Sequence, residues 1–207
     1  MKIGVIGGTG AFGMALARRL LEAGYDVSIG SRDAERAVAA ATEIGVSGAA
    51  NGDVARGCDL VVIATRADAT LDTARDLRTA IGTTPVLSVA AELSFAPAGV
   101  LPTIEATSIA QRLQDILDGT SVVAGLHSLA ARNLGGDDAP EEDVLVCGDD
   151  ADAKAVVLEL AERITSGRAI DCGPLASARA LEGLTAVIVS LNRRYKGHAG
   201  IRITGLS

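Results

Sequence analysis

The stretch that decides the fold is residues 2–13, KIGVIGGTGAFG, at the start of the chain. The apolar run 3–6 predicts a buried strand, and residues 14–23 have the composition of a helix. The turn between them has a G-x-G-x-x-G spacing at three positions, Gly8, Gly10 and Gly13. A strand, a glycine turn and a helix in this order indicate a dinucleotide-binding turn rather than a plain glycine-rich loop.

Each of the three glycines has a separate predicted role. Gly8 allows the tight turn, Gly10 lets the backbone approach a pyrophosphate, and Gly13 lets the helix pack close to the strand. The pyrophosphate would bind the free N–H groups at the helix N-terminus, where the helix dipole is positive.

The overall composition limits the classes of protein. With 207 residues, the chain is long enough for one nucleotide-binding domain and a modest second unit. Hydrophobic residues make up 48% and aromatic residues only 2%, which indicates a core of alanine, valine, leucine and isoleucine. The net charge of −7 argues against nucleic acid and anionic membranes as partners. No apolar run approaches the roughly 20 residues that span a bilayer, and no signal-like segment opens the chain, so we expect a cytoplasmic protein.

Neither the cysteines nor a cluster of aspartates favours a metal site. Cys58, Cys147 and Cys172 lack C-x-x-C spacing, so free buried thiols are favoured over a disulfide or a bound metal. The first turn of a predicted helix at 149–164 contains three carboxylates, Asp149, Asp150 and Asp152. Carboxylates there cap free N–H groups and complement the helix dipole, so we prefer capping to metal binding.

Strand and helix patterns alternate through the first part of the chain. Further strands are predicted at 26–30, 59–65, 85–89 and 121–126, helices at 33–44, 67–81 and 107–117, and a short helix or turn at 51–57. The run 59–65, DLVVIAT, is almost continuously apolar, as expected where helices cover both faces of a parallel sheet. The pattern predicts an α/β fold of the Rossmann type, with a doubly wound and mostly parallel sheet.

The pattern changes after residue 126. It predicts a surface loop at 133–143, strands at 144–147 and 169–172 around the helix at 149–164, and a long helix at 175–195. The last helix is apolar almost all round at 184–191, LTAVIVSL, so it must be buried, and a second subunit is a natural cover. We expect residues 1–126 to form the nucleotide-binding domain, and 127–207 to form a small C-terminal α/β part for substrate or coenzyme binding and dimerisation.

The end of the second predicted strand selects the dinucleotide. NAD-binding proteins place an acidic residue there, which holds the ribose 2′-hydroxyl. This chain has Gly30-Ser31-Arg32 instead, with Arg36 one helical turn further on. Because arginine forks onto phosphate and serine can donate to it, we predict that Ser31, Arg32 and Arg36 bind the 2′-phosphate of NADP(H). The alternative is that Ser31 is a helix N-cap and the arginines are solvated, and Ser31 could have both roles.

Several familiar catalytic arrangements are missing. Tyr25 and Tyr195 have no lysine four residues later, and neither G-x-S-x-G nor H-E-x-x-H occurs. The two histidines, His127 and His198, are the groups that titrate near neutrality. His127 follows a predicted strand, at the end where ligands bind in such sheets, and the small residues after it leave room for a flat ring. It is therefore either a cleft residue or a hydrogen-bonded structural histidine.

The C-terminal end is cationic in an otherwise acidic chain. Glu182 is the last acidic residue, and four basic residues follow it: Arg193, Arg194, Lys196 and Arg202. They indicate an anionic ligand or partner, or alternatively a solvated helix end that complements the dipole.

Seven segments along the whole chain carry a family resemblance. In order they are GGTGAFG (7–13), GSR (30–32), DTARDL (72–77), LHSLAAR (126–132), VCGDD (146–150), DCGPLASAR (171–179) and LNRRYKGHAG (191–200). Together they resemble the NADPH-dependent F420 reductases, and the ending is similar to the actinobacterial members. The resemblance implies a homodimer that transfers a hydride between NADP(H) and coenzyme F420, an 8-hydroxy-5-deazaflavin.

The resemblance also implies which residues bind the two coenzymes. The pyrophosphate would be lined by Thr9, Gly10, Ala11 and Phe12, and the 2′-phosphate by Ser31, Arg32 and Arg36. Ala131 would lie near the nicotinamide and His127 in the deazaflavin cleft. Thr65 and Ala91 lie in loops that help to shape the meeting point of the rings. No catalytic side chain is needed, because the cofactors carry the reactivity once they are held together.

Two loops depart from the family pattern, which usually has a proline and an aromatic residue in the first and a proline-leucine segment in the second. This chain has Thr65-Arg66-Ala67-Asp68 in the first loop and Ser88-Val89-Ala90-Ala91-Glu92 in the second. Arg66 and Glu92 are unexpected charges, which pair with each other, bind a different acceptor, or face water. The alternative functions are an NADPH-dependent reductase of another small acceptor (imine, ketone or flavin-like) and a non-catalytic NADP(H)-binding module.

Overall fold

The computed structural model describes residues 1–97 and 99–206, so Ser207, the last residue of the predicted C-terminal part, lies outside the described residues. The strands are Lys2–Ile6 (β1), Asp26–Ser31 (β2), Ser47–Ala50 (β3), Leu60–Ile63 (β4), Val86–Ser88 (β5), Leu93–Ala96 (β6), Gly99–Pro102 (β7), Val122–Gly125 (β8), Val144–Gly148 (β9) and Ala169–Asp171 (β10). The α-helices are Ala11–Glu22 (α1), Ala34–Ile44 (α2), Asn51–Arg56 (α3), Ala67–Ile81 (α4), Ile109–Ile116 (α5), Ala131–Leu134 (α6), Ala151–Ile164 (α7) and Ala178–Tyr195 (α8).

One eight-stranded sheet organises the molecule, with the strand order β10-β9-β8-β5-β4-β1-β2-β3. Neighbouring strands are parallel except at the β8–β9 pair, which is antiparallel. The prediction of a Rossmann-type, mostly parallel sheet is therefore confirmed. The strands of the C-terminal part, β9 and β10, extend the same sheet that β1 to β5 begin.

Helices cover both faces of this sheet, and β1, β4, β5, β8 and β9 contribute side chains to the cores on both faces. Val5 belongs to the core under α1, α2 and α7, whereas its neighbour Ile6 belongs to the core under α3, α4 and α5. Because successive strand side chains point to opposite faces, a strand buried on both faces is apolar throughout. The four residues of β4, LVVI, are buried and show this pattern.

Three short strands are not predicted by the sequence patterns. β3 has the sequence SGAA, without the β-branched residues that identify a strand, and it forms the edge of the sheet. β6 and β7 form a separate antiparallel hairpin that includes Pro102 and several exposed residues. By contrast, α4 has the predicted bounds, because its apolar residues recur at clear helical spacing. The predicted loop 133–143 is wrong at its start, where α6 extends to Leu134.

The last helix is only partly buried within a single chain, and its predicted cover by a second subunit stays a prediction. Val187 is 54% exposed and Leu191 is 40% exposed, although Ala186 and Ile188 are buried. The apolar face of α8 is therefore only half covered by this chain. Among the described residues, no helix is both long and apolar enough to cross a bilayer.

Two polar anchors tie the C-terminal part to the sheet. The buried Arg19 side chain of α1 donates to the carbonyl oxygens of Leu134, Gly136 and Asp138, which holds α6 and its following loop against α1. The buried carboxylate of Asp143 accepts from Arg168 and from the backbone N–H of Ile203. These bonds hold the pKa of Asp143 down, to about 2.

The aspartates at the start of α7 behave as capping residues. Asp150 accepts from the backbone N–H of Ala153 at 2.7 Å. Asp149 accepts from the N–H of Leu175, at the start of the short 3₁₀ turn that precedes α8. Asp150 therefore caps α7 as predicted, and Asp152 lies in its first turn, but Asp149 lies before α7 and caps the 3₁₀ turn instead.

Candidate functional site

The glycine turn between β1 and α1 is defined by close backbone contacts. Gly7 has a φ of +79° and makes the tight turn, which the sequence analysis assigns to Gly8. Gly8 has a different reason to be glycine, because a Cβ there would lie 2.5 Å from the Cβ of Ile29. At Gly13, a Cβ would lie 2.7 Å from the carbonyl oxygen of Gly7, so α1 packs directly on the turn as predicted.

The N-terminus of α1 is open for a ligand. Gly10 is the N-cap residue and offers no side-chain hydrogen bond to the first N–H groups of the helix, which have no partner within the helix. A Cβ at Gly10 would meet only the carbonyl oxygen of Gly7, at 3.5 Å. The fold therefore leaves free space beside unpaired N–H groups, which suits a pyrophosphate.

A cavity of about 210 Å³ lies beside this turn, at the ends of β1, β2 and β4, and we call it the adenosine-end cavity. Its lining is polar and cationic: Gly7, Thr9, Gly10, Ser31, Arg32, Arg36, Asn51, Ala64, Thr65, Arg66, Ala69 and Thr73. The predicted residues Ser31, Arg32 and Arg36 therefore lie together, next to the glycine turn.

The local structure leaves the Ser31 hydroxyl free to donate. Asp33, and not Ser31, is the N-cap of α2, and its carboxylate accepts from the N–H groups of Glu35 and Arg36. The Ser31 Oγ accepts from the N–H of Asp33 at 3.2 Å, so its own proton remains available for a phosphate oxygen. The N-cap alternative for Ser31 is wrong by two residues.

A second cavity, of about 250 Å³, lies at the ends of β4, β5 and β8, and we call it the ring-end cavity. Its lining is mostly small and apolar: Phe12, Ala64, Thr65, Ala67, Val89, Ala90, Ala91, Leu126, His127, Leu129 and Thr185. The predicted residues Phe12, Thr65, Ala91 and His127 meet here. Ala131 is half-buried at the start of α6 and lines neither cavity.

His127 is a buried neutral group in this lining. Its Nε2 lies 3.3 Å from the carbonyl oxygen of Ala90, which as an acceptor requires the proton on Nε2. Its Nδ1 is then an acceptor, and it has no partner among the described residues. Burial lowers the pKa of His127 to about 4, so the ring is uncharged at neutral pH. The α8 residue Thr185 donates its hydroxyl to the carbonyl oxygen of His127 at 3.2 Å.

A third and larger cavity, of about 510 Å³, is formed by the two loops that depart from the family pattern. Its lining combines charged and apolar residues: Arg66, Ala67, Asp68, Ala91, Glu92, Leu93 and Phe95. The two unexpected charges do not pair with each other. Arg66 pairs with Asp68 at 2.9 Å, and Glu92 pairs with Arg112 of α5 at 2.6 Å.

The three cavities form one cleft along the carboxyl edge of the sheet. Ala64 and Thr65 line both the adenosine-end and ring-end cavities, and Ala67 and Ala91 line both the ring-end cavity and the third one. Ligands bind at this edge in doubly wound sheets, near the strand at which the connections reverse direction.

Two lining residues of this cleft, Asn51 and Thr185, come from helices without a recognisable motif. The sequence singles out Arg66 only as an unexpected charge in a loop and Thr73 only as part of the segment DTARDL, and it assigns neither to the adenosine end. Position relative to a predicted strand was the one available signal, since Arg66 closely follows β4. Thr185 lies in the apolar run of α8, where a lone threonine gives no signal at all.

The cationic C-terminal end lies apart from the three cavities of the cleft. Arg193, Arg194 and Lys196 are exposed at the end of α8, as a helix C-terminus favours. Arg202 lies 4.0 Å from Glu141, an acidic residue that is distant in sequence.

Comparisons with known proteins agree along the whole chain. Residues 2–92 match the family model described as "NADP oxidoreductase coenzyme F420-dependent". The F420-dependent NADP reductase of Methanocaldococcus jannaschii is 35% identical, over 100% of this chain and 99% of the relative. That of Methanothermobacter thermautotrophicus is 37% identical, over 100% and 96%.

Solved structures give the same picture. A protein from Arthrobacter sp. FB24, proposed to be an F420-dependent NADP reductase, has a TM-score of 0.84 at 28% identity and covers 96% of each chain. An NADP-bound pyrroline carboxylate reductase from Plasmodium falciparum has a TM-score of 0.64 at 14% identity, over 95% of this chain and 64% of that one. The second likeness concerns the fold alone.

Proposed function

Because the chain belongs to the family of F420-dependent NADP reductases, we propose that it transfers a hydride between NADP(H) and the 8-hydroxy-5-deazaflavin coenzyme F420. When both are bound, the nicotinamide and the deazaflavin supply the hydride chemistry between them. In the direction of F420 reduction, NADPH loses a hydride, F420 gains that hydride and one proton, and NADP⁺ is released.

The observation that carries this proposal is the continuous cleft with two unlike ends. The adenosine end offers arginines, a serine hydroxyl and the open N-terminus of α1, which together suit a phosphorylated dinucleotide. The ring end offers a mostly apolar lining with small side chains, which suits planar rings. Thr65 lines both, so one extended dinucleotide reaches from one end to the other.

At the ring end, the residues position the reactants and carry no acid–base chemistry of their own. None of the residues that line this cavity is an aspartate, glutamate, lysine or arginine. His127 is neutral, and its unpaired Nδ1 accepts a hydrogen bond from an N–H or O–H group of a bound ring. Holding two carriers face to face supplies the rate enhancement through proximity and orientation.

Turnover with purified F420 tests the proposed function. We expect NADPH absorbance to fall when F420 is added, and to stay nearly constant with free FMN or FAD. Turnover with free flavins alone would instead favour a reductase of another small acceptor. Tight NADPH binding without turnover on any acceptor would favour a non-catalytic module.

We also propose that a second copy of the chain covers the open face of α8. Exposed apolar residues there adjoin the β6–β7 hairpin, which α8 contacts through the Ser190 hydroxyl and the Val100 carbonyl, 3.3 Å apart. They include Val187 and Leu191 on α8 and Leu101 on the hairpin, each at least 40% exposed. Contiguous exposed apolar surface of this kind is typical of a subunit interface.

Light scattering at micromolar concentration tests this dimer. We expect the wild type to be a dimer and Val187→Lys to shift it towards monomer. Val38→Lys is the matched control, because Val38 on α2 is 52% exposed and lies away from the hairpin. A monomeric wild type, or equal effects of the two variants, would contradict the proposed interface.

We propose a cytoplasmic location on the basis of thiol chemistry. Cys58, Cys147 and Cys172 are unpaired, and burial raises the pKa of all three thiols. Unpaired, protonated thiols suit a reducing compartment. Fractionation of the source cells with antibody detection tests this location.

A further inference from the structure

Arg66 lines the cleft, but it belongs to no dinucleotide-binding motif, and its exposed ion pair with Asp68 gives no reason for an arginine at this position. It is the N-cap residue of α4, directly after the end of β4, and its side chain lines the adenosine-end cavity. The same side chain borders the third cavity. The guanidinium is 86% exposed, so it is held by one neighbour and is otherwise surrounded by solvent.

The cationic residues of the adenosine-end cavity come from two opposite walls. In the sheet, β1 lies between β2 and β4, so the ends of β2 and β4 are about 10 Å apart, or two strand spacings. Arg32 and Arg36 follow β2, and Arg66 follows β4. An anion above the end of β1 is therefore within reach of long side chains from both walls.

The lining of this cavity is unbalanced in charge. It contains three arginines and, in the described part of the chain, no aspartate or glutamate. Asp68 pairs with Arg66 from outside this lining, so within the described lining a phosphate dianion would be the counter-charge to the three guanidinium groups. The cavity is thus complementary to a phosphate held between two walls, more than to a neutral ribose.

The present partner of Arg66 is a weak competitor for such a phosphate. Arg66 donates from Nε to Asp68 Oδ1 at 3.2 Å and from Nη2 to Oδ2 at 2.9 Å. Both side chains are mostly exposed, at 86% and 66%, so water screens the pair.

We propose that Arg66 binds the 2′-phosphate of NADP(H) from the wall opposite Arg32 and Arg36, exchanging Asp68 for the phosphate. Arg66 is then a specificity-determining residue for NADP(H), and Asp68 weakens binding by competing for the guanidinium. This inference rests on the proposed function only in that NADP(H) is the bound dinucleotide.

Binding titrations with NADPH and NADH test this proposal without any acceptor. We expect Arg66→Ala to weaken NADPH binding about tenfold and to leave NADH binding within about twofold, since a charge-assisted bond to the 2′-phosphate is lost. Asp68→Asn is expected to tighten NADPH binding by about two- to threefold in the wild-type background and to have no effect beside Arg66→Ala.

Arg75→Ala is the matched control on the same helix. Arg75 pairs with Asp72 at 2.5 Å, is exposed, and does not line the cleft. The Arg75→Ala variant removes the same charge as Arg66→Ala. An equal loss of NADPH affinity in the two variants would therefore assign the effect to the change in the overall charge of the protein and overturn the proposal. Equal losses of NADPH and NADH affinity with Arg66→Ala would also overturn it. Intact NADPH binding without F420 reduction would refute the proposed function and leave this test valid.

Discussion

At the adenosine end of the cleft the lining includes three arginines, Arg32, Arg36 and Arg66, which we propose bind a phosphate. At the ring end, the lining is mostly small and apolar, and its one histidine is neutral. The difference separates two tasks within one cleft. On the proposed function, the first end sets the affinity for the dinucleotide and the choice between NADP(H) and NAD(H), and the second sets the geometry in which the two rings meet. Substitutions at the two ends should therefore change different measured quantities.

The largest expected effect is at the adenosine end. Arg32→Ala should weaken NADPH binding by about 30-fold, or about 2 kcal/mol, because a charged hydrogen bond to the 2′-phosphate is lost. NADH binding should change little, and so should kcat for F420 at saturating NADPH. Titrations with both dinucleotides, together with steady-state kinetics, measure these quantities. An unchanged ratio of NADPH to NADH affinity would show that Arg32 does not select the dinucleotide.

Substitutions at two glycines of the turn should affect NADPH binding and folding stability separately. Gly10→Ala should weaken NADPH binding about tenfold and leave folding stability nearly unchanged, because the added methyl enters open space beside the helix N-terminus. Gly13→Ala should instead destabilise the fold by about 2 kcal/mol, because its methyl would meet the Gly7 backbone at 2.7 Å. Denaturant unfolding and NADPH titration of both variants check this. Loss of stability in Gly10→Ala would contradict the assignment.

The smallest expected effect on turnover concerns the pH dependence at the ring end. The pKa of His127 is about 4 in the folded protein, so its titration should change kcat by less than twofold between pH 5.5 and 8, a range about 1.5 units or more above that pKa. The unfolded chain takes up the His127 proton near pH 6.5. Because the folded protein keeps His127 neutral down to a lower pH than the unfolded chain does, the contribution of this group to the free energy of unfolding is highest above pH 6.5 and decreases as the pH falls towards 4.

Unfolding of His127→Phe and of the wild type across this pH range is the measurement. The variant should lose less stability than the wild type between pH 6.5 and 4. The contradicting result would be a change in the kcat of the wild type with a midpoint near pH 6.5 that is absent from the His127→Phe variant. It would show that the His127 ring is accessible to water and that the lining of the ring end does not stay neutral.

The adenosine end is the more predictable of the two from sequence. Half of its lining comes from the continuous stretch between β1 and the first turn of α2, so the spacing of Gly10, Ser31, Arg32 and Arg36 already brings them to one edge of the sheet. The periodic α4 was likewise predicted with its observed bounds. The tight turn predicted at Gly8 falls at Gly7 instead, because a φ of +79° and a 2.5 Å approach of Gly8 to Ile29 are properties of the folded turn.

The ring end depends on residues that only the folded sheet brings together. His127, Thr65 and Ala91 follow three different strands, and Thr185 reaches the cavity from α8. The resemblance to a family supplied three of these residues, but not Thr185. The hairpin β6–β7 was missed because exposed short strands lack the apolar alternation that predicts a sheet. The proposed role of Arg66 depends on the strand order, since β2 and β4 flank β1 only in the folded protein.

Direct transfer of the hydride is the central claim, and isotope labelling tests it most directly. NADPH with both hydrogens of the reactive nicotinamide carbon replaced by deuterium is mixed with F420 and the enzyme in ordinary water, and the reduced F420 is analysed by mass spectrometry. If the two rings meet in one cleft, the deuterium appears in reduced F420 at close to one atom per molecule. Reduced F420 without deuterium would show transfer through an exchangeable carrier, and would contradict the account.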